Sequence, residues 1–254
     1  MAASQNLEVP AHALILGCGR SGTSILGELF ESLPGVTYVS EPLLVDLPAI
    51  APDETLVVKV PQVDGSDTPP AGLPAAPDDL YRALPTPLVV IWQVRHPLDA
   101  ICSLRVGISQ DWGHHPRPPD WREWQHRPLV ERCAHHWAVI NGAGYELVRA
   151  VAVLNKFEDM IGDPRTTADT MVRSIGIDPT TVAAELAAWS QRVQDTNNEH
   201  FVEAVTSRRH SRPDHSRRIG RWRENLSADE VAAVLPIVAP AASRFGYDLP
   251  SPSS

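Results

Sequence analysis

The stretch that decides the fold is AHALILGCGRSGTSILGELF, residues 11–30, where a short apolar run meets a glycine-rich turn and then a helical pattern. AHALILG is nearly continuous in apolar residues and ends in glycine, which is typical of a strand buried on both faces of a parallel sheet. Beyond the turn, Ile25, Leu26, Leu29, Phe30 and Leu33 recur at helical spacing. The sequence therefore predicts that the chain opens with a strand, a glycine turn and a helix.

Similar apolar runs follow at residues 55–60 (TLVVKV), 87–94 (PLVVIWQV) and 150–157 (AVAVLNKF). The stretches between them are long enough for crossover connections, so the pattern predicts an α/β fold, a three-layer sandwich around a central parallel sheet. Irregular excursions are expected at 61–87, with one short turn near 78–84, and at 107–128. Helical patterns cover 129–149, 166–175, 180–195 and 228–245.

Composition limits the classes of protein that fit. The chain has 254 residues, 43% of them hydrophobic and 21% charged, which suits a single domain spanning 1–254. Its formal charge of −9 argues against nucleic acid as a partner. We expect a cytoplasmic protein without a membrane span, because MAASQNLEVP lacks the order of a secretory signal and no apolar run approaches ~20 residues. The sequence indicates no oligomeric state.

The turn GCGRSGTS, residues 17–24, is called the glycine loop below. Its two outer glycines stand before a helix, as in a P-loop, where backbone N–H groups bind phosphate. A nucleotide triphosphatase would have lysine in place of Thr23 and an acidic residue at the end of a neighbouring strand, for magnesium. Here the neighbouring run ends in Gln93-Val94-Arg95. The pattern therefore predicts an anion held without metal by loop amides, by Arg20 and by the hydroxyls of Ser21, Thr23 and Ser24.

The segment GCGRSGTSILGELFESLPGVTYVSEPLL resembles the 5′-phosphosulfate-binding segment of sulfotransferases, and is most similar to that of the Golgi carbohydrate sulfotransferases. Those enzymes pair an RSG[ST]S loop with a downstream Glu-Pro-Leu, which is residues 41–43 here. VVIWQVRHPLDAICSLRVG resembles the 3′-phosphate-binding segment of the family, with Arg95 and Ser103 at the two phosphate-binding positions. LNKFEDMIGDP and SRRIGRWRENLS resemble two later segments of the cytosolic relatives.

This resemblance implies that 3′-phosphoadenosine 5′-phosphosulfate (PAPS) is the co-substrate, that no metal is needed, and that the acceptor is a hydroxyl of a small molecule or glycan. It assigns Arg20, Ser21, Gly22, Thr23 and Ser24 to the 5′ side of PAPS, and Arg95 and Ser103 to its 3′-phosphate. Phe157 stands where the relatives have a tyrosine near the adenine, which keeps an aromatic face. The segment 207–218 is expected to be mobile and to close over the nucleotide, with Ser216, Arg217 and Arg218 as candidate contacts.

The resemblance also points to a general base. In carbohydrate and tyrosylprotein sulfotransferases a glutamate after the first helix has this role, and Glu41 stands there. Cytosolic enzymes instead use a histidine shortly after a lysine, whereas this chain has Lys59 followed by Val-Pro-Gln. We therefore predict that Glu41 is the base and that Lys59 steadies the bridging oxygen of PAPS. His114 or His115 is the alternative base, if the second excursion folds over the acceptor.

Several alternatives remain open at this point. Trp112, Trp121 and Trp124 either stack on a sugar or aromatic acceptor or anchor the second excursion to the body of the domain. An atypical P-loop kinase or nucleotide hydrolase would show magnesium-dependent ATP binding. A non-catalytic nucleotide-binding module would bind PAPS and consume none. Neither the histidines nor the three cysteines have the spacing of a metal site, so none is predicted.

Overall fold

The structure is a computed structural model that describes residues 10–63, 72–109, 111–193 and 219–251. Its strands are β1 His12–Gly17, β2 Val36–Ser40, β3 Thr55–Lys59, β4 Leu88–Val94 and β5 Ala152–Lys156. All pairings are parallel, in the order β2-β3-β1-β4-β5. Strands β2 and β3 lie on one side of β1, whereas β4 and β5 lie on the other, so the connections leave β1 in opposite directions across the sheet. Such a switch point is where α/β sheets bind ligands. The predicted parallel sheet is confirmed, with β2 as a strand that the sequence analysis missed.

Helices connect the strands and follow the sheet. The described α-helices are α1 Thr23–Glu31, α2 Pro77–Ala83, α3 Pro97–Ser109, α4 Trp121–Trp124, α5 Leu129–Val139, α6 Tyr145–Val148, α7 Phe157–Gly162, α8 Pro164–Ser174, α9 Ala183–Arg192, α10 Trp222–Asn225 and α11 Ala228–Ala242. A π-helical turn, Ile140–Gly144, joins α5 to α6 inside the predicted 129–149 helix. None of the helices described is long and apolar enough to cross a membrane.

Apolar side chains of β1 alternate between two cores. Leu14 and Leu16 belong to the core on the side of α3, α5 and α11, whereas Ala13 and Ile15 belong to the core shared with α1, α8 and α9. Because strand residues point alternately to opposite faces, both faces of the sheet are covered. The predicted three-layer sandwich is therefore confirmed.

The two excursions differ from their predicted limits. The short turn expected near 78–84 is helix α2, which has Pro77 in its first turn, where the missing N–H costs nothing. Helix α3 continues through Ser109, so the second irregular stretch begins later than residue 107. The reason is Ile108, which is fully buried and extends the apolar face of α3 by a turn.

Tyr247, which follows helix α11, packs against the end of β4. The carboxylate of Glu158 accepts hydrogen bonds from the backbone N–H of His96, at 2.9 Å, and from the hydroxyl of Tyr247, at 2.8 Å. The Tyr247 ring also meets the His96 ring edge to face, with centroids 5.4 Å apart. One carboxylate thus joins the strand end, helix α7 and the segment that follows α11.

Candidate active site

The glycine loop connects β1 to α1 at the carboxyl edge of the sheet. A Cβ on Gly17 would collide with the carbonyl oxygen of Gln93 on β4. Gly22 has a φ of 92°, and a Cβ there would lie 2.6 Å from the ring of Phe157. Both positions therefore require glycine, for close approach to β4 and for a left-handed turn packed on Phe157.

Buried amide side chains at the ends of β4 and β5 hold the backbone of the glycine loop in place. The Gln93 amide donates to the carbonyl of Ser21 at 3.0 Å, and the Asn155 amide donates to Gln93 Oε1 at 2.6 Å. Ser21 itself is fully buried, and its hydroxyl has no hydrogen-bond partner among the residues described. The loop is thus pre-shaped by the ends of β4 and β5.

At the end of β4, four of the predicted residues come together. Arg95 is 5% exposed, donates to the carbonyl of Arg20 at 3.3 Å, and lies 3.5 Å from the hydroxyl of Ser103. Its guanidinium covers the Phe157 ring at 4.2 Å from the centroid. The Phe157 ring therefore packs against Arg95 in this structure. The contact of Phe157 with adenine remains a prediction.

A third arginine, which was not among the predicted site residues, reaches the same place. Arg221 donates to the Ser103 hydroxyl at 3.0 Å. Asp99 of α3 accepts from the backbone N–H groups of Gly220, at 2.7 Å, and Trp222, at 3.0 Å. The only signal in the sequence was that Arg221 stands in SRRIGRWRENLS. The predicted contacts of that segment, Ser216, Arg217 and Arg218, lie outside the described residues, as does the whole of 207–218.

The three arginines influence one another electrostatically. Burial lowers the pKa of Arg95. Burial, reinforced by the positive charge of Arg95, lowers the pKa of Arg20 and of Arg221 to about 10. Arg20 and Arg221 thus stay charged near neutral pH, and an anion entering beside Arg95 would relieve the repulsion among the three groups.

Glu41 and Lys59 meet on the other side of β1. Lys59 ends β3 and is 1% exposed; its ammonium donates to Glu41 Oε1 at 2.7 Å and to Ser24 Oγ at 3.1 Å. Glu41 follows β2, and its side chain is 51% exposed. Its φ of 55° is uncommon for a residue with a Cβ and costs roughly 1–2 kcal/mol. The parallel pairing of β2 with β3 brings the carboxylate, the ammonium and the glycine loop together.

The second excursion packs against the glycine loop. A Cβ on Gly19 would lie 3.1 Å from Nδ1 of His114, and one on Gly107 would collide with the same ring. Trp112 and Trp121 are 1% and 4% exposed, and the Trp112 indole donates to Nδ1 of His136 at 3.1 Å. These two tryptophans therefore anchor the excursion. Trp124 stacks on the ring of His135, with centroids 3.9 Å apart.

Metal ligands were not predicted, and within the described ranges no group of three or more His, Cys, Asp or Glu side chains could hold a metal ion. Independence from metal stays a prediction. All three cysteines are buried and free.

No protein-family model and no curated protein match the chain. Solved structures do match. The sulfotransferase domain of the Synechococcus PCC 7002 olefin synthase is 17% identical, with a TM-score of 0.59, over 98% of this chain and 100% of that domain. The chain has the sulfotransferase fold.

Two further structures with the sulfotransferase fold support this assignment. Retinol dehydratase in complex with retinol and PAP is 14% identical, with a TM-score of 0.55, over 97% of this chain and 85% of that one. A mouse sulfotransferase complexed with PAP is 15% identical, with a TM-score of 0.53, over 93% of this chain and 89% of that one. The resemblance is confirmed at the level of the fold, and special closeness to the Golgi enzymes stays a prediction.

Proposed function

We propose that the protein transfers a sulfuryl group from PAPS to an acceptor hydroxyl. The observation that carries the proposal is the juxtaposition, at the ends of the adjacent strands β1 and β4, of the glycine loop and the buried Arg95–Ser103 pair. Two anion sites side by side suit a nucleotide with phosphates at both its 5′ and 3′ positions. PAP, the product left when PAPS loses its sulfuryl group, is bound in three of the matched structures.

PAPS would be held at both ends. The amides at the start of α1, with Arg20, Thr23 and Ser24, would bind its 5′ side, and Arg95 with Ser103 would bind the 3′-phosphate. Phe157 supports this arrangement by carrying the Arg95 guanidinium on its ring, a cation–π contact that burial strengthens. Anchoring the remote phosphate fixes the reacting sulfur in place, which lowers the entropic part of the barrier.

The transfer itself would occur between Ser24, Lys59 and Glu41. The acceptor oxygen attacks sulfur while its proton passes to the Glu41 carboxylate, and the bond from sulfur to the 5′-phosphate oxygen breaks. Negative charge develops on the departing phosphate, where the loop amides and the Lys59 ammonium would stabilise it. Support comes from the position of Lys59, whose Nζ touches both the glycine loop and Glu41.

A small hydroxylated molecule suits the site best as the acceptor. The half-exposed Glu41 side chain can be reached from solvent. Trp112 and Trp121, two of the three tryptophans considered for stacking on a sugar or aromatic acceptor, are buried in the excursion, so they support stacking on an acceptor less well than anchoring. One matched structure of this fold contains retinol, which is itself a small hydroxylated compound.

The test uses the purified full chain. Calorimetry should show PAP binding with the same affinity in magnesium and in excess chelator, and radiolabelled sulfate should pass from PAPS to hydroxylated acceptors in a panel of small molecules and glycans. ATP binding that requires magnesium would instead indicate the kinase or hydrolase alternative. Tight PAP binding with no transfer to any acceptor in the panel would indicate a non-catalytic module.

A further inference from the structure

We propose that Gln93 and Asn155 are positioning residues for the 5′ side of PAPS, because they fix the direction in which the glycine loop presents the N–H of Gly22. This inference deepens the proposed function and rests on it. Neither residue was among the predicted site residues, and both are too deeply buried to touch a nucleotide. They act through the backbone carbonyl of Ser21.

Gln93 and Asn155 lie side by side at the carboxyl edge of the sheet. The parallel register pairs Gly17 of β1 with Gln93 of β4, and Gln93 with Asn155 of β5, so the three residues form one row across the strands. On β4, Trp92 and Val94 belong to the core of α3 and α5, so Gln93 points to the other core, which includes α1. Buried amides at this depth need hydrogen-bond partners.

The hydrogen bonds of this pair run in one direction, toward the glycine loop. The carbonyl of Ser21 can only accept, so the NH₂ group of Gln93 must face it, at 3.0 Å. The Oε1 atom of Gln93 then faces β5, where Nδ2 of Asn155 donates to it at 2.6 Å. Asn155 thereby keeps the Gln93 amide from turning over and presenting its oxygen to the Ser21 carbonyl.

Holding the Ser21 carbonyl fixes the peptide group that links Ser21 to Gly22. This peptide is trans, so its N–H points away from its carbonyl, and the Gly22 N–H points away from Gln93. Gly22 has a φ of 92°, and glycine tolerates either sign of φ, so the loop sequence alone would allow this peptide to turn over. Gln93 removes that freedom.

The orientation of this peptide matters for an anion. Gly22 directly precedes α1, so its N–H can join the amides at the start of that helix in binding the 5′ side of PAPS. The reversed peptide would present its carbonyl oxygen to the phosphate, and the two would repel each other. The pair Gln93–Asn155 therefore selects the loop conformation that binds the nucleotide.

The experiment measures by calorimetry the affinity of the full chain for PAP and for adenosine 3′-phosphate, which lacks the 5′-phosphate. Gln93→Met keeps the size of the side chain and removes the donor, so it should weaken PAP binding about 10-fold and adenosine 3′-phosphate binding less than about twofold. AMP, which has the 5′-phosphate and lacks the 3′-phosphate, should lose affinity as PAP does. Asn155→Leu should weaken PAP binding less, about threefold, because the Gln93 donor remains.

Unfolding in urea separates positioning from packing. Gln93→Met leaves the Asn155 amide without its partner and should lower stability, whereas the double variant Gln93→Met/Asn155→Leu removes both amides and should recover part of it. PAP affinity should stay low in the double variant, because nothing holds the Ser21 carbonyl. Asn141→Leu is the matched control, since this buried amide accepts from the indole of Trp92, the neighbour of Gln93 on β4. It should lower stability and leave PAP affinity unchanged.

The outcomes distinguish this inference from the function on which it rests. If the wild type prefers PAP to adenosine 3′-phosphate and Gln93→Met keeps that preference, the inference is wrong and the proposed function stands. If the double variant recovers affinity together with stability, the two amides only pack the core. Should Gln93→Met fail to fold, the double variant and Asn155→Leu carry the same comparison. A wild type without measurable PAP binding overturns the proposed function and the inference together.

Discussion

The strand ends on either side of β1 carry a buried cation each, in opposite surroundings. Lys59, at the end of β3, pairs with the half-exposed carboxylate of Glu41. Arg95, at the end of β4, lies beside Arg20 and Arg221, which repel it, and near Asp99 and Glu158, which favour its charged form. The first arrangement is electrically balanced and open to solvent, as a site of proton transfer needs to be. The second holds excess positive charge away from water, as an anchor for a phosphate needs to.

The glycine loop joins these two regions. Its Ser24 hydroxyl contacts Lys59, and its Arg20 carbonyl accepts from Arg95. Because the two regions differ in charge and exposure, a change at Glu41 should alter turnover more than nucleotide binding, and a change at Arg95 should alter nucleotide binding first.

The largest effect is expected at Glu41. Glu41→Gln keeps the size of the side chain and removes the base, so kcat for sulfuryl transfer should fall about 10²- to 10⁴-fold while the Kd for PAP stays unchanged. Glu31→Gln, at the exposed end of α1, is the control and should leave both quantities alone. Unaltered turnover in the Glu41→Gln variant would move the role of base to another residue, with His114 the next to test.

On the opposite side, Arg95→Ala should act mainly on binding. The loss of a charged hydrogen bond worth about 1.5–3 kcal/mol would weaken the binding of PAP roughly 10- to 150-fold. Calorimetry measures this directly, with Arg82→Ala as the control, because Arg82 forms a surface ion pair with Asp79. Equal losses of PAP and AMP affinity would contradict the assignment of Arg95 to the 3′-phosphate.

A third prediction concerns His136 of helix α5, which accepts a hydrogen bond from Trp112 of the second excursion. Its substitution should affect neither the Glu41 region nor the Arg95 region selectively. Burial and the neighbouring His135 lower the pKa of His136 from 6.5 to about 3. The unfolded chain therefore takes up this proton first on acidification. The contribution of neutral His136 to the free energy of unfolding is complete above pH 6.5. It declines as the pH falls toward 3, by up to about 1.4 kcal/mol per pH unit.

Urea unfolding at several pH values measures this slope. His136→Asn keeps an acceptor for the Trp112 indole and removes the titration, so its stability should depend less on pH in this range. His126→Asn, on the surface, should keep the slope of the wild type. A slope unchanged in the His136→Asn variant would mean that His136 does not titrate this way.

The smallest effect is expected from Phe157→Leu. The leucine loses the ring beneath Arg95, worth about 1 kcal/mol, so PAP binding should weaken about fivefold. Phe30→Leu removes the same volume from the same apolar core without touching Arg95. It should lower stability similarly and leave PAP affinity intact; matching losses of affinity in both variants would make Phe157 a packing residue only.

Much of the sheet could be predicted because strands buried on both faces are continuous apolar runs. Strand β2 could not, since VTYVS lies at the sheet edge, is only partly buried and has no such run. That omission had a consequence for the site. Glu41 and Lys59 were identified by resemblance, but their 2.7 Å contact depends on the pairing of β2 with β3.

In the Arg95 region, the spatial arrangement could be predicted from the sequence, but one of the residues that take part could not. The sequence has a glycine turn after one strand and an arginine after another, which was enough to predict that the glycine loop and Arg95 would lie close together. The structure does place β4 beside β1. Arg221 was missed because its position depends on Asp99, 121 residues away from Gly220 in the chain. No local pattern encodes which distant backbone N–H groups a carboxylate will accept from.

The bridge through Glu158 has a practical consequence. Proteolytic trimming ahead of Tyr247 would remove the Tyr247 hydroxyl from Glu158 and the Tyr247 ring from His96, so the residue next to Arg95 would lose part of its support. A preparation nicked there would lose Tyr247 and Leu249 from the edge of one core and keep the fully buried residues of both. The damage would show first as poor nucleotide retention, so mass spectrometry of the intact chain should precede any affinity measurement.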